Sequence, residues 1–242
     1  MIRAAILSAG LASAAAPAAA LDPAFWIDAA TDLRERGLSQ SGGRAAVEAG
    51  VGIGTEGPTL DIAAATVRGS PRHGGADLRA TVTGGYTLRS GGSRLRADVR
   101  WQGFAGGRGP LDYWEGGVLA DTLIGPITLA AGARYAPRQR AIGGSLLNLR
   151  LAADGGLPGS PWSLAAHIGR TSGETHDPLR AARLRPDPTY LDWAVGIRRV
   201  AGPALLSLTY SDTDVAKNRA GIPPALRADS GATVVARVGL SF

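Results

Sequence analysis

The sequence contains no cysteine, only three histidines and a single lysine, Lys217. Without cysteine there is no disulfide framework, no thiol nucleophile and no lipid-anchor cysteine. Aromatic residues make up only 5% of the chain, and no apolar run reaches the length of about 20 residues that a membrane-spanning helix requires. Because lysine is so rare, arginine supplies nearly all the basic charge behind a net charge of +6. The arginines are scattered, which argues against a nucleic-acid-binding face.

The N-terminus has the composition of a secretory signal peptide. Arg3 supplies a positive charge, Ala4–Leu11 forms a short apolar core, and Ala18–Ala20 matches a small-residue cleavage site. The apolar core is too short to span a bilayer as a helix, which argues against a retained anchor. We predict Sec-type export, with residues 1–20 removed and residues 21–242 forming one domain.

Beyond the signal, runs of about ten residues alternate between apolar and polar side chains, which is typical of transmembrane strands. The clearest run is Arg94–Phe104, whose apolar face carries Leu95, Ala97, Val99 and Trp101 and whose other face is charged or polar. A soluble sheet also alternates, but it places its large aliphatic residues inside and its charges outside. The small and medium-sized apolar residues here suit contact with lipid.

The alternation predicts an all-β fold, a transmembrane antiparallel up-and-down barrel of about twelve strands. Leu111–Leu123 alternates poorly and is the least regular of the set. The predicted strands are Phe25–Leu33, Ala45–Gly54, Leu60–Val67, Leu78–Arg89, Arg94–Phe104, Leu111–Leu123, Ile127–Ala136, Leu146–Asp154, Trp162–Arg170, Tyr190–Val200, Ala204–Ser211 and Ala232–Phe242.

The connections between these strands alternate in length. Short Gly- and Pro-rich turns follow every second strand, and longer segments such as Thr171–Thr189 and Asp212–Gly231 follow the others. Outer-membrane barrels have short periplasmic turns and long external loops. We therefore expect a bacterial outer-membrane location, with both termini on the periplasmic side.

All aromatic residues lie within or at the ends of the predicted strands, at two levels that match the interfacial girdles of such barrels. The predicted external girdle comprises Trp101, Phe104, Tyr113, Trp114, Tyr135, Tyr190, Trp193 and Tyr210. The predicted periplasmic girdle comprises Phe25, Trp26, Tyr86, Trp162 and Phe242. Phe242 also ends an alternating strand, as in the closing strands that the barrel-assembly machinery recognises, and we predict that it is the assembly signal.

One segment resembles a known family. Thr31–Ser41 has the sequence TDLRERGLSQS, which is similar to the opening signature of the TorF porin family, although Leu33 and Glu35 stand where that family usually has aromatic residues. The matching residues are Asp32, Arg36, Gly37, Ser39 and Gln40. The resemblance implies an outer-membrane barrel more than it implies a substrate. Arg36 either folds inward to bind lumen carboxylates or lies in a solvated loop.

The polar strand faces predict which side chains line a pore. The candidates are Arg79, Arg96, Asp98, Arg100, Arg134, Arg150, Asp192, Arg198 and Arg237. Twelve strands lie between the filled eight-stranded barrels and the open channels of sixteen or more. The charges could therefore line a hydrated constriction or pair across the lumen and close it.

No catalytic, cofactor or metal site is expected. His167 is expected to face the lumen beside Ser163, as a histidine bonded to a neighbour and not as a general base, and His73 and His176 lie in external loops. His176, Glu174 and Asp177 could bind a metal only weakly, because no second histidine is adjacent. Gly50–Gly54 lacks the helix and lysine of a phosphate-binding loop. We predict a porin-like channel for small polar, anionic solutes, with outer-membrane lipid and the assembly machinery as partners. The alternative is a non-conducting structural or adhesive barrel that acts through its external loops, and an outer-membrane enzyme ranks third. The sequence does not reveal the oligomeric state, although trimeric porins are usually larger barrels, which favours a monomer.

Overall fold

The computed structural model describes residues 23–217 and 220–242, so the predicted signal peptide lies outside the described residues. Two short helices and two 3₁₀ turns lie in the long connections; they are α1 (Pro178–Ala181), α2 (Pro224–Arg227), Pro71–His73 and Arg140–Ile142. The strands are β1 (Pro23–Ala30), β2 (Arg34–Glu35), β3 (Leu38–Ser39), β4 (Ala46–Ile53), β5 (Gly57–Thr66), β6 (Leu78–Ser90), β7 (Ser93–Ala105), β8 (Tyr113–Ile124), β9 (Ile127–Gln139), β10 (Gly144–Gly156), β11 (Trp162–Ser172), β12 (Tyr190–Ala201), β13 (Ala204–Thr213) and β14 (Thr233–Ser241).

Twelve of these strands, β1 and β4 to β14, form a closed antiparallel barrel, which confirms the predicted fold. Each strand pairs with its neighbours in the chain, and β1 closes the ring by pairing with both β4 and β14. Closure leaves no free sheet edge, so the backbone of every barrel strand has partners on both sides. Most predicted boundaries differ from the observed ones, by at most three residues; the first strand, for example, ends at Ala30, and the sixth begins at Tyr113.

The remaining two strands, β2 and β3, form a small hairpin that was not predicted. Each has only two residues, so the segment has no alternating run long enough to be recognised. We call the segment Arg34–Ser39 the inward hairpin, because its side chains contact the inner wall of the barrel, as described below.

The outer wall of the barrel is apolar. Along β7, Leu95, Val99 and Trp101 point outward and are exposed, whereas Gln102 points inward and is buried. On the adjacent β8, Glu115 also points inward and is buried. An exposed apolar surface of this extent requires an apolar surrounding, and a lipid bilayer provides one. No helix within the described residues is long and apolar enough to cross a membrane.

The predicted external girdle of aromatic residues is only partly correct. Trp101 and Trp114 are exposed on the outer wall, but Phe104, Tyr113 and Tyr190 point inward. These three side chains continue the inward face of their strands into a region where the long connections cover the lumen, so they pack in a core instead of at a lipid interface. Tyr113 belongs to an apolar cluster there, Tyr190 to another, and Phe104 packs against the first.

The predicted periplasmic girdle also needs one correction. Trp26 points inward, and its ring lies over Gly50 on the neighbouring β4, at a position that any side chain on Gly50 would overlap. The register explains this, because Trp26 is two residues from Asp28, which also faces the lumen near Arg237.

The long connections all leave the same end of the barrel. Apart from the inward hairpin, they fold over that end as a dome, which comprises residues 31–33, 40–45, 67–77, 106–112, 140–143, 173–189, 214–217 and 220–232. Two buried arginines fasten it. Arg72 donates to the carbonyl oxygens of Ser39, Arg183 and Leu226, at 3.2, 2.6 and 2.9 Å. Arg183 donates to the carbonyl oxygens of Arg72 and Ala141, at 2.8 and 2.7 Å. Each guanidinium has five N–H donors, so one side chain can join several loops.

The closure at Phe242 leads to a first prediction. Its backbone N–H and carbonyl both hydrogen-bond to Phe25, at 3.0 and 2.9 Å, and its ring is exposed on the outer wall. Phe242→Asp keeps this backbone pairing and removes the aromatic ring, so we expect low outer-membrane abundance and periplasmic degradation. Phe242→Tyr keeps an aromatic ring and should assemble normally. Quantitative immunoblots of fractionated cells measure both variants, and normal assembly of Phe242→Asp would contradict a role of the ring as an assembly signal.

Candidate functional site

The inward hairpin turns at Arg36 and Gly37, which both have positive φ, at 53° and 73°. A two-residue loop with two positive φ angles is a type I′ turn, whose twist matches that of the flanking strands. Gly37 also lies against the inner wall. A Cβ atom at this position would be 2.4 Å from Cγ2 of Thr213 and 2.7 Å from Cβ of Asp192. Only glycine therefore fits the tip of the hairpin.

The base of the hairpin is held by the other residues of the family-like signature. Asp32 accepts hydrogen bonds from the hydroxyls of Ser39 and Ser41, at 2.5 and 2.9 Å. Gln40 accepts a hydrogen bond from Nε2 of His73, at 2.8 Å. The hydroxyl of Tyr190 donates to the carbonyl oxygen of Arg36, at 3.0 Å. The signature thus encodes a turn and its anchoring contacts.

An ion-pair network joins the hairpin to the barrel wall. Glu35 pairs with Arg79, at 3.0 Å, and with Arg100. Arg36 pairs with Glu115, which also binds Arg100. Glu115 is completely buried, and removing one partner of a buried ion pair typically costs about 3–5 kcal/mol. Of the two alternatives for Arg36, the structure has the inward one.

The lumen changes character from one end to the other. At the end with the long connections, the inward side chains of Gln102 and Thr171 are at most 1% exposed. At the end with the short turns, Arg94, Asp154 and Arg198 also face inward, but their side chains are 43%, 41% and 36% exposed. The barrel is therefore filled beneath the dome and accessible to water from the opposite end.

A chamber of about 860 Å³ lies on the accessible side of the inward hairpin. Seven of the nine predicted pore-lining residues border it: Arg96, Asp98, Arg100, Arg134, Arg150, Arg198 and Arg237. The other two, Arg79 and Asp192, are buried beside the hairpin, outside the lining. Sequence reasoning missed Arg34 and Glu35 as lining residues, because it placed them in an external loop.

Most of the lining charges are paired. Arg96 pairs with Asp61 at 2.5 Å, Arg134 with Asp98 at 2.8 Å, and Arg198 with Asp154. Among the described residues, the lining still contains more arginines than carboxylates. The arginines are Arg34, Arg36, Arg96, Arg100, Arg134, Arg150, Arg198 and Arg237; the carboxylates are Asp32, Glu35, Asp61, Asp98 and Asp154. Further carboxylates, including Glu115 and Asp192, lie behind this surface and offset part of the excess.

The three histidines occupy different environments. His73 is completely buried in the dome, where its ring stacks on Phe104 with centroids 4.5 Å apart. His167 lies in the chamber and is 3.2 Å from Asp192. His176 is in the connection between β11 and β12. No group of three or more His, Cys, Asp or Glu side chains is arranged to hold a metal ion in the part of the chain that is described.

These features define a twelve-stranded barrel with an apolar outer wall and a charged, partly filled lumen. The chain belongs to a family described as bacterial proteins of unknown function, Gcw_chp, whose profile matches residues 14–242. No curated protein matches the sequence.

Among solved structures, the chain is similar to the KdgM porin, with 8% identity and a TM-score of 0.55 over 90% of this chain and 98% of that one. It is also similar to the COG4313 outer membrane channel from Pseudomonas putida F1, with 12% identity and a TM-score of 0.52 over 91% of this chain and 95% of that one. At these identities the likeness concerns the fold.

The tight fit of Gly37 leads to a second prediction. Gly37→Val should displace the inward hairpin, because its side chain overlaps Thr213 and Asp192. We expect amide hydrogen exchange in residues 34–39 to accelerate about tenfold or more, which corresponds to about 1.4 kcal/mol or more. Gly57→Val is the matched control, since Gly57 has a similar φ of 69° but an added Cβ there meets nothing within 4 Å. Equal exchange of the hairpin in both variants would show that the contact with the wall is unimportant.

The burial of His73 leads to a third prediction. Burial, together with repulsion from Arg183 and Arg72, holds the pKa of His73 well below its ordinary value of 6.5. An opened dome therefore binds a proton at pH values where the closed dome does not, so the closed form is most stable above about pH 6.5 and loses stability below it. Hydrogen-exchange protection of residues 67–77, corrected for intrinsic rates, should fall between pH 7 and pH 5. His73→Gln should remove most of this pH dependence, and an unchanged profile would assign it to other groups.

Proposed function

We propose that this protein is a passive outer-membrane channel for small polar solutes, with a preference for anions. The observation that carries the proposal is the water-accessible, arginine-rich chamber inside a barrel whose outer wall is apolar. In a barrel with a purely structural role, side chains could fill the whole lumen, and no chamber would be required. A wall of charged side chains around a hydrated space is how channels select among small solutes.

The same proposal assigns the two ends of the barrel. The dome faces the exterior and the short turns face the periplasm, as in barrels with long external loops. Sec-type export of a precursor with a signal peptide over residues 1–20 fits this location, and the barrel-assembly machinery and outer-membrane lipid are the expected partners. We place the chain with the TorF porins because Asp32, Arg36, Gly37, Ser39 and Gln40 keep the register of their signature and together build one structural unit.

In this proposal the inward hairpin is the constriction. It separates the chamber from the dome, and Glu35 and Arg36 hold it across the lumen through pairs with three strands, β6, β7 and β8. A solute therefore passes only where the hairpin and the dome leave space or move. Its conformation sets the conductance.

The preference for anions follows from the chamber surface. Eight arginines and five carboxylates line it within the described residues. Arginine stays charged at every relevant pH, and low-dielectric walls focus the field of an unbalanced charge. The buried carboxylates behind the lining reduce the effect, so we expect modest selectivity for anions.

Single-channel recording in planar bilayers tests the proposal and supplies a fourth prediction. The purified protein should give discrete conductance steps and a reversal potential in a salt gradient that indicates anion preference. Gly37→Val should raise the conductance by displacing the constriction, whereas Gly57→Val should leave it unchanged. Cation preference would contradict the proposal that the lining arginines select for anions. An unchanged conductance in Gly37→Val would contradict the proposal that the hairpin is the constriction.

A second candidate is a non-conducting barrel that acts through its dome. It is favoured by the complete burial of the lumen at the dome end and by the arginines that fasten the loops together. This candidate predicts no conductance from the parent or from Gly37→Val. The same recordings therefore separate the two functions.

A further inference from the structure

We infer that Arg150 anchors a binding site for a small hydroxylated carboxylate inside the chamber. The inference deepens the proposed channel function by naming a class of solute, and it rests on that function only for its biological purpose. Binding of a solute to this site can be measured on the purified protein, independently of whether the barrel conducts. Three observations support the site.

The first observation is an arginine without a partner. Among the described arginines that line the chamber, all but Arg150 pair with a carboxylate within 4 Å. Arg150 has neither an ion pair nor a hydrogen bond to the described residues, and its side chain is exposed within the chamber. A guanidinium presents its N–H donors in a planar fork that matches the two oxygens of a carboxylate. An unpaired guanidinium that faces a chamber can therefore bind the carboxylate of a solute through two hydrogen bonds.

The second observation is the space around this side chain. The cross-strand neighbours of Arg150 are two glycines. Gly132 on β9 borders the chamber, whereas Gly169 on β11 is buried beneath the carboxylate of Asp192. Arg134 and His167 are its diagonal neighbours on the same two strands, at a typical separation of about 7–8 Å. The guanidinium is therefore reachable from the chamber, and a second cation and an imidazole border the same space.

Two carboxylates, Asp192 and Glu35, act electrostatically on Arg150, and Asp192 has the larger effect. Its carboxylate lies over Gly169, 3.2 Å from His167, and it attracts Arg150 through space without forming an ion pair. Asp192 therefore competes with a bound anion for Arg150. This competition makes a specific expectation possible, because removing the carboxylate should strengthen binding and not weaken it.

The third observation is a row of free hydroxyl groups on another part of the wall. Ser207 and Thr209 on β13 border the chamber, and neither side chain has a hydrogen-bond partner among the described residues. β13 lies three strands from β10, and the pairing register that starts at Arg150 runs through Gly169 and Asp192 to Thr213. Thr209 and Ser207 lie four and six residues along β13 from Thr213. A solute with a carboxylate at one end and hydroxyls along its chain would satisfy both sets of groups.

Isothermal titration calorimetry on the purified full barrel in detergent tests the site. The probes are gluconate and glucitol, two six-carbon polyols that differ in the carboxylate, with inorganic phosphate as a second anion. Gluconate should bind and glucitol should not. Arg150→Gln should weaken gluconate binding about tenfold or more, the usual effect of losing a charge-assisted hydrogen bond. Arg94→Gln removes an inward arginine that is paired with Asp121 outside the chamber lining, and it should change the affinity less than twofold.

Two more variants protect the test against misfolding. Arg150→Lys keeps the charge without the fork and should bind gluconate with intermediate affinity, and Asp192→Asn should bind it more tightly than the parent. Tighter binding of phosphate than of gluconate would overturn the assignment of a hydroxylated carboxylate. Absence of gluconate binding, equal binding of glucitol, or unchanged affinity in Arg150→Gln would overturn the site itself. A barrel that binds gluconate but does not conduct would leave the site standing and refute only the channel.

Discussion

The buried carboxylate of Glu115 is the contact on which the interior of this barrel depends. It lies on β8, receives Arg100 from the neighbouring strand and receives Arg36 from the inward hairpin, which is 79 residues away in the chain. Without cationic partners, a carboxylate in this dry position would be strongly unfavourable. The hairpin therefore supplies a charge partner for the buried Glu115 of the wall, and Glu115 in turn holds the hairpin in place through Arg36. The dome is built on the same hairpin, because Arg72 and His73 bind its residue Ser39 and the adjacent Gln40.

The lumen combines two designs that are usually separate. Beneath the dome it resembles a small filled barrel, with paired charges and buried aromatic side chains. Towards the short turns it resembles the wall of a wider channel, with accessible charges and glycines such as Gly132 and Gly196. Twelve strands allow this combination, because their circumference leaves a space inside the barrel. The inward hairpin occupies this space at one level, and no residue among those described fills it at the level of the chamber.

The alternation of side chains was sufficient to predict the barrel and which face of each strand points inward, because strand period and lipid contact act locally along the chain. The hairpin could not be found in the same way. Its strands have two residues each, and its inward position is fixed by contacts with Glu115 and Asp192 that lie far away in the sequence. The aromatic girdle failed at Phe104 and Tyr113 for a related reason. The inward orientation of these two side chains follows from the period of the strand. Their surroundings, a protein core and not the lipid interface, depend on the loops that cover this end of the barrel.

The fastening of the dome has a consequence for how its outer surface can vary. Arg72 and Arg183 bind main-chain carbonyl oxygens, which every amino acid supplies, and not particular side chains. Residues at the acceptor positions, such as Ala141 and Leu226, can therefore be exchanged without losing these bonds, provided that the backbone keeps its course. In the proposed orientation, with the dome outside the cell, the side chains on its surface can change while the main-chain hydrogen bonds beneath them keep it closed.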